Sequence, residues 1–302
     1  MLFRSQRSHP LCVEAIASTD LILAVGLRAG AAEMSELKER APEKNMILIG
    51  FDDARSAHYQ GDDEQVADPK LFLEALLTRI GDYQRAKDEA KLAKMAAGKA
   101  ALRDKLAANI APHMSDNPIY PGVLMDAMNR VLDDRAVVAS DVGLCQMWAR
   151  VFRRIATPES FMQSGVWNAM SFGLPTAIVA KMEFPQRDVI GLAGDGASLM
   201  TIGDLPTAAE YGANIVLVVL NDGSFGQTYM QQTGLYGHTY GTAFKSPNFA
   251  QIGEACGCKG IRVTDPKNVE DAFKQALTAT KGPNAQPAVL EVMIARHVQP
   301  RI

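Results

Sequence analysis

Two acidic turns, Gly194-Asp195-Gly196 and Asn221-Asp222-Gly223, each close an apolar run in the second half of the chain. The runs, DVIGLAG ahead of the first turn and NIVLVVL ahead of the second, have the continuous apolar character of strands buried on both faces of a parallel sheet. Flanking glycines let the backbone approach a ligand closely and leave one carboxylate pointing outward. The two aspartates are 27 positions apart, about the length of one helix plus one strand. Adjacent parallel strands would therefore bring both to the same sheet edge, the carboxyl edge where open α/β sheets bind ligands. Magnesium favours one or two carboxylates completed by phosphate oxygens and water, so the pair suggests a magnesium-bound diphosphate. Taken singly, each tripeptide also reads as a plain tight turn.

The elements that must position these turns alternate along the chain. Strand-like runs at 21–27 and 45–51, a polar helix around 31–41 and a helix-patterned stretch at 69–80 predict a small βαβ-type unit. The alanine-rich, charge-alternating stretch that follows reads as a solvated helical connector. From Pro118 the alternation resumes: helix 121–132, strand 135–141, strand 160–164, a helix from about 171, strand 189–193, helix 203–211, strand 214–220, strand 260–264, helix 267–280 and strand 288–294. This pattern predicts a mostly parallel sheet with helices on both faces. The domain reading is 1–82, a linker at 83–116, and 117–302.

Composition narrows the function classes. With 302 residues, 47% apolar and 22% charged, the chain is globular and long enough for two cores. A net charge of −3 offers no basic footprint for nucleic acid, and no apolar run reaches the roughly 20 residues that span a bilayer. The first residues carry arginine but no signal-peptide core, so no targeting segment is read there. Four cysteines, Cys12, Cys145, Cys256 and Cys258, point to a reducing, cytoplasmic setting and read as ordinary buried thiols. GLRAG at 26–30 lacks the spacing of a dinucleotide-binding loop.

The spacing of the two turns resembles the thiamine-diphosphate (ThDP) enzymes of the acetolactate synthase and 2-oxoacid decarboxylase superfamily, whose signature is GDG followed some 24–27 residues later by NN. The resemblance runs from about Val13 to the C-terminus. It implies a doubly wound, mostly parallel α/β diphosphate-binding domain, preceded by part of a Rossmann-like α/β central domain. It implies Asp195 and Asp222 as magnesium ligands, with the Ser224 carbonyl completing the protein's share, and Gly194, Gly196, Ala197, Ser198 and Gly226 around the diphosphate. Asp222 stands where the family reads Asn, which adds a negative charge beside an anionic ligand.

Two further stretches carry the likeness. SGVWNAMSFGLPTAIVAK, from Ser164 to Lys181, resembles SGGLGTMGFGLPAAIGA, in which an apolar side chain holds the cofactor bent; Met170 falls there, with Asn168 in place of a glycine. Without the resemblance Met170 reads as core, and Trp167 as a packing residue. SDVGLCQMWAR, from Ser140 to Arg150, resembles EVGQHQMWA, placing Val142, Gly143, Leu144 and Cys145 at the diphosphate, with Leu144 and Cys145 replacing a polar Gln-His pair. Beyond the second turn, Gln227, Met230 and His238 are candidate substrate-side residues or surface-loop residues, whereas His9, His58, His113 and His297 show no spacing that suggests a site.

In that family a glutamate from a separate pyrimidine-binding domain activates the cofactor, and the substrate is a 2-oxoacid. No glutamate here takes that role by resemblance. The expectation is a chain that needs a pyrimidine-binding domain, supplied in the same polypeptide or by a partner subunit, and that self-associates. The alternative is a non-catalytic cofactor-binding module.

Overall fold

The computed structural model describes residues 10–26, 45–51, 63–83, 86–165 and 167–300. Residue contacts divide the chain into two units that meet between Arg103 and Asp104. In the first, helix α1 (Pro10–Ala17) precedes strands β1 (Leu21–Val25), β2 (Asn45–Gly50) and β3 (Asp63–Val66), which form a parallel sheet in that order. The polar helix expected around 31–41 lies outside the described residues.

Helix α2 (Pro69–Ile80) starts as its sequence dictates. The Asp68 carboxylate accepts from the amides of Lys70 and Leu71, proline occupies the first turn, and Gly81 closes the helix at φ +58°. Its apolar stripe is not buried: Leu71, Leu73, Leu77 and Ile80 are all exposed. Three short strands, with Met46, Leu48 and Ile49 buried among the described residues, offer too little surface to cover it. Helix α3 (Glu89–Ile110) occupies the charge-alternating stretch and is exposed along most of its length, with Ile110 buried at its end.

The second unit contains α4 (Pro121–Val131), β4 (Val137–Ser140), α5 (Leu144–Phe152), β5 (Phe161–Gln163), α6 (Gly173–Glu183), β6 (Val189–Gly194), α7 (Asp195–Thr201), α8 (Leu205–Glu210), β7 (Val216–Asn221), α9 (Gly226–Tyr236), α10 (Phe249–Ala255), β8 (Lys259–Val263), α11 (Val269–Ala279) and β9 (Ala288–Met293). Six strands form one sheet in the order β5-β4-β6-β7-β9-β8, every neighbouring pair parallel. Alternate strand residues feed two cores. Val138, Ile190, Leu192, Val216, Val218 and Leu290 pack with α4, α5 and α11, while Val137, Val189, Leu217, Val219 and Val289 pack with α6, α8 and α10.

The sheet is therefore doubly wound, and this explains why its central strands read as unbroken apolar runs. Some contacts leave no room for a side chain. A Cβ on Gly260 would lie 2.3 Å from the Ala250 carbonyl oxygen, so α10 can seat on β8 only over glycine. From β4 the chain moves outward to β5 and then crosses back to β6, leaving a crevice at the carboxyl ends of β4, β6 and β7.

Candidate active site

The two acidic turns meet at that crevice because β6 and β7 are adjacent, with Gly194 in register with Leu220. Asp195 is buried; its Oδ1 accepts from the Gly196 amide at 2.8 Å, and its Oδ2 from the Gly223 amide at 2.7 Å. The first acid thus ties its own turn to the second. Asp222 Oδ1 accepts from the Ser224 amide at 2.9 Å and its hydroxyl at 2.8 Å. Behind the second turn, Asn221 Nδ2 donates to Glu291 Oε1 at 2.7 Å, and the Arg296 guanidinium donates to the Asp222 carbonyl.

Burial, followed by the charge of Asp222, pushes the Asp195 carboxyl up to about 6. Burial likewise raises Asp222, against its bonds to Ser224. A buried and a half-buried carboxyl that both resist ionising form a site that a divalent cation would relieve. Among the described residues no group of three or more His, Cys, Asp or Glu side chains is arranged to hold a metal. A cation at the two turns would therefore complete its shell with backbone carbonyls, water and ligand oxygens, the preference of magnesium.

The turns open onto a cleft of about 240 Å³. At about 30 Å³ per water, this is room for several polar groups and not only a bare cation. The structure brings together on its wall Val142, Gly143, Leu144, Cys145, Asn168, Met170, Gly194, Asp195, Gly196, Ala197, Asp222, Ser224 and Gly226. Ser198 does not line the cleft; it lies one turn into α7, buried, its hydroxyl without a hydrogen-bond partner. Helix α7 turns it inward toward the protein. Glycine leaves room for neighbouring side chains at two wall positions: a Cβ at 196 would lie 2.5 Å from the Phe225 ring, and one at 226 would lie 2.6 Å from the end of Leu144, so either would force that side chain to shift.

Gln227 lines the cleft, Met230 is buried beneath α9 without lining it, and His238 is exposed on the loop beyond, bonded to the Tyr236 carbonyl. Trp167 does not pack: it is 91% exposed. Cys145 and Cys258 are buried and free, but Cys256 is only half-buried because it caps α10 at the surface, and the Cys12 side chain lies outside the described residues.

Several residues at the site escaped the sequence reading. Asp141 is 1% exposed at the end of β4. Its Oδ1 accepts from the amides of Val142 at 2.7 Å and Ser171 at 3.0 Å, and its Oδ2 from the amide of Gly173 at 2.8 Å. Glu291 is wholly buried within β9, where a charge inside the apolar run AVLEVM is a legible signal. His297 stacks on Tyr229 with ring centroids 3.4 Å apart, and its own amide bonds Asp222. Burial lowers its imidazole pKa. No spacing marks His297, because the C-terminal segment reaches the site only after β9 has paired with β7. Gln231, one turn along α9 from Gln227, also lines the cleft.

A doubly wound parallel sheet with paired acidic turns at its switch point defines a metal-assisted, phosphate-binding α/β protein. The comparisons make this specific. The family described as "Thiamine pyrophosphate enzyme, C-terminal TPP binding domain" matches residues 141–292, half of the chain, and the chain belongs to that family. Its cofactor is thiamine diphosphate with magnesium. The chain is 28% identical over 289 residues to the "Probable acetolactate synthase large subunit" of Methanocaldococcus jannaschii, covering 93% of this chain and 47% of that protein. It is 28% identical over 288 residues to the acetolactate synthase large subunit of Buchnera aphidicola, covering 93% and 49%. With the acetolactate synthase of Mycobacterium bovis it shares 27% identity over 294 residues, covering 95% and 47%. The chain thus spans about half the length of these relatives.

Proposed function

We propose that this chain is the diphosphate-binding part of an acetolactate synthase-like enzyme that decarboxylates or ligates 2-oxoacids with magnesium and thiamine diphosphate. The observation that carries this reading is the pair of carboxyls, buried Asp195 and half-buried Asp222, that line one cleft at the ends of adjacent strands. These residues and the Ser224 carbonyl would hold the metal, while Val142, Gly143, Leu144, Cys145, Gly194, Gly196, Ala197 and Gly226 would surround the diphosphate. Ser198 would support the helix behind it. Asn168 and Met170 would flank the organic part of the cofactor, whose chemistry, when bound, is to act as an electron sink.

The chain's own part is to bind and to orient. Gly194, Gly196 and Ala197 at the start of α7 would lie against the diphosphate, and the apolar wall of Leu144, Met170 and Leu220 would exclude water. No glutamate lines the cleft among the described residues. The proton-transferring carboxyl would come from a pyrimidine-binding domain, in a longer polypeptide or on a partner subunit. Exposed Trp167, Met182 and Met200 support self-association or such a partner. Free thiols, and the absence among the described residues of any helix long and apolar enough to cross a membrane, support a cytoplasmic setting.

A second reading, a non-catalytic cofactor-binding module, is favoured by one observation: apolar Leu144 and weakly polar Cys145 line the diphosphate end of the cleft. Calorimetric titration of the purified chain with thiamine diphosphate, with and without magnesium and alongside Asp195→Ala, tests the binding role. Magnesium-dependent binding that the substitution abolishes is expected. Metal-independent binding, or binding that survives in the variant, would overturn the metal assignment. Turnover of a 2-oxoacid after adding a pyrimidine-binding partner separates the enzyme from the module.

A further inference from the structure

We propose that Asp141 is a positioning residue for the cofactor's organic part, acting through the turn that carries Met170; this rests on the reading above. The turn is strained. Asn168 and Ser171 both adopt left-handed backbone, at φ +47° and φ +78°, a region unfavourable for residues with a Cβ. Something must hold it. Within the described residues, both Asp141 oxygens accept from it: Oδ1 from the Ser171 amide and Oδ2 from the Gly173 amide, either side of Phe172. The same Oδ1 takes the Val142 amide, so one buried carboxylate joins the end of β4 to the start of α6.

The fit leaves no slack. A Cβ on Gly173 would lie 3.0 Å from Asp141 Cβ and 3.2 Å from Oδ2. Met170, one residue before Ser171, stands on the cleft wall, while Asp141 itself does not line the cleft. The two acidic turns receive no hydrogen bond from the Asp141 side chain. Of its three contacts two go to the turn beside Met170 and one to Val142 on the diphosphate wall, so its effect should fall mainly on the part of the ligand that Met170 flanks.

This separation gives a readout that a general structural role would not produce. Asp141→Asn keeps the shape of the side chain but sets an NH₂ donor against one of the amides that the carboxylate accepts. Titrations of the purified chain with magnesium thiamine diphosphate and with magnesium pyrophosphate are the measurement, with circular dichroism verifying the fold. Loss of the hydrogen bonds that hold the turn is expected to weaken thiamine diphosphate about tenfold or more, and pyrophosphate less than about twofold. Gly173→Ala, which crowds the same carboxylate without altering it, should reproduce the selective loss if Asp141→Asn fails to fold. In an Asp141→Asn, Met170→Ala double variant the two effects should not add, because both act through one contact. Equal loss of both ligands, no loss of either, or additive effects would overturn the inference. Failure of the unaltered chain to bind either ligand would instead overturn the diphosphate-site reading, and this inference with it.

Discussion

At the residue scale the acidic turns hold a buried carboxyl in a state that costs stability near neutral pH, a cost that a bound cation would relieve. The folded pKa of Asp195 is raised from 3.8 to about 6. A carboxyl shifted upward contributes stability that is present below its unfolded pKa and lost as pH rises through its folded value. Metal-free protein should therefore lose stability between about pH 4 and pH 6, by up to about 3 kcal/mol at 1.36 kcal/mol per unit. Asp222→Asn retains an oxygen for the Ser224 donors and removes the charge that opposes Asp195. In EDTA at pH 7.5 it should melt above the unaltered chain by about 2–4 °C, corresponding to about 1 kcal/mol, and the gap should close by pH 4.5. A variant that melts lower at pH 7.5 would show that the two carboxylates are not in repulsion. The thiols give a second residue-scale expectation. Burial pushes Cys145 up to about 12 and Cys258 up to about 11, whereas Cys256 reaches the surface. Iodoacetamide at pH 8, followed by peptide mass spectrometry, should label Cys256 and leave Cys145 and Cys258 unmodified until the chain is unfolded.

At the element scale, what matters is how closely helices approach the sheet. Helix α10 rests on β8 through Gly260 and on β9 through Gly253, where a Cβ would lie 2.7 Å from Val289. Gly260→Ala drives a methyl group into the Ala250 carbonyl, which cannot move without lifting α10. The expected cost is about 1–3 kcal/mol, read as a fall in thermal midpoint of about 2–4 °C per kcal/mol. An unchanged midpoint would mean that α10 packs differently. The same helix supplies the Ala250 amide to Glu291 Oε2 at 3.3 Å, while Glu291 Oε1 holds Asn221. Glu291→Leu would leave Asn221 Nδ2 and the Ala250 amide buried and unpaired, costing about 1–3 kcal/mol for each lost partner. Loss of magnesium-dependent binding at temperatures where that variant is still folded would show that the second acidic turn depends on β9.

At the scale of the whole molecule the two units are unequal. The second carries both cores and the cleft, whereas the described part of the first buries three large apolar side chains. Helix α3 crosses the division between them, and Leu106 and Ile110 at its end join a core of the second unit. A chain beginning at Glu89 should therefore unfold in a single cooperative transition and bind magnesium thiamine diphosphate as the full chain does. Weaker binding by the shorter chain would place part of the site in the first unit.

The sequence by itself determined the parallel α/β class, the succession of most strands along the chain and the two acidic turns. These features are local: apolar runs mark buried strands, and glycine beside aspartate marks a turn that can face a ligand. Resemblance, and not periodicity, singled out Met170 and the stretch around Leu144, since both sit in short segments whose pattern alone reads as core. Helix α5 was not anticipated, because nine residues entered directly from Gly143 carry none of the usual capping chemistry. Tertiary structure alone decided that Asp141 grips a turn 30 residues away, that Glu291 stands behind Asn221, and that His297 returns to Tyr229. Each of these contacts joins segments distant in the chain, and only strand order sets which of them meet.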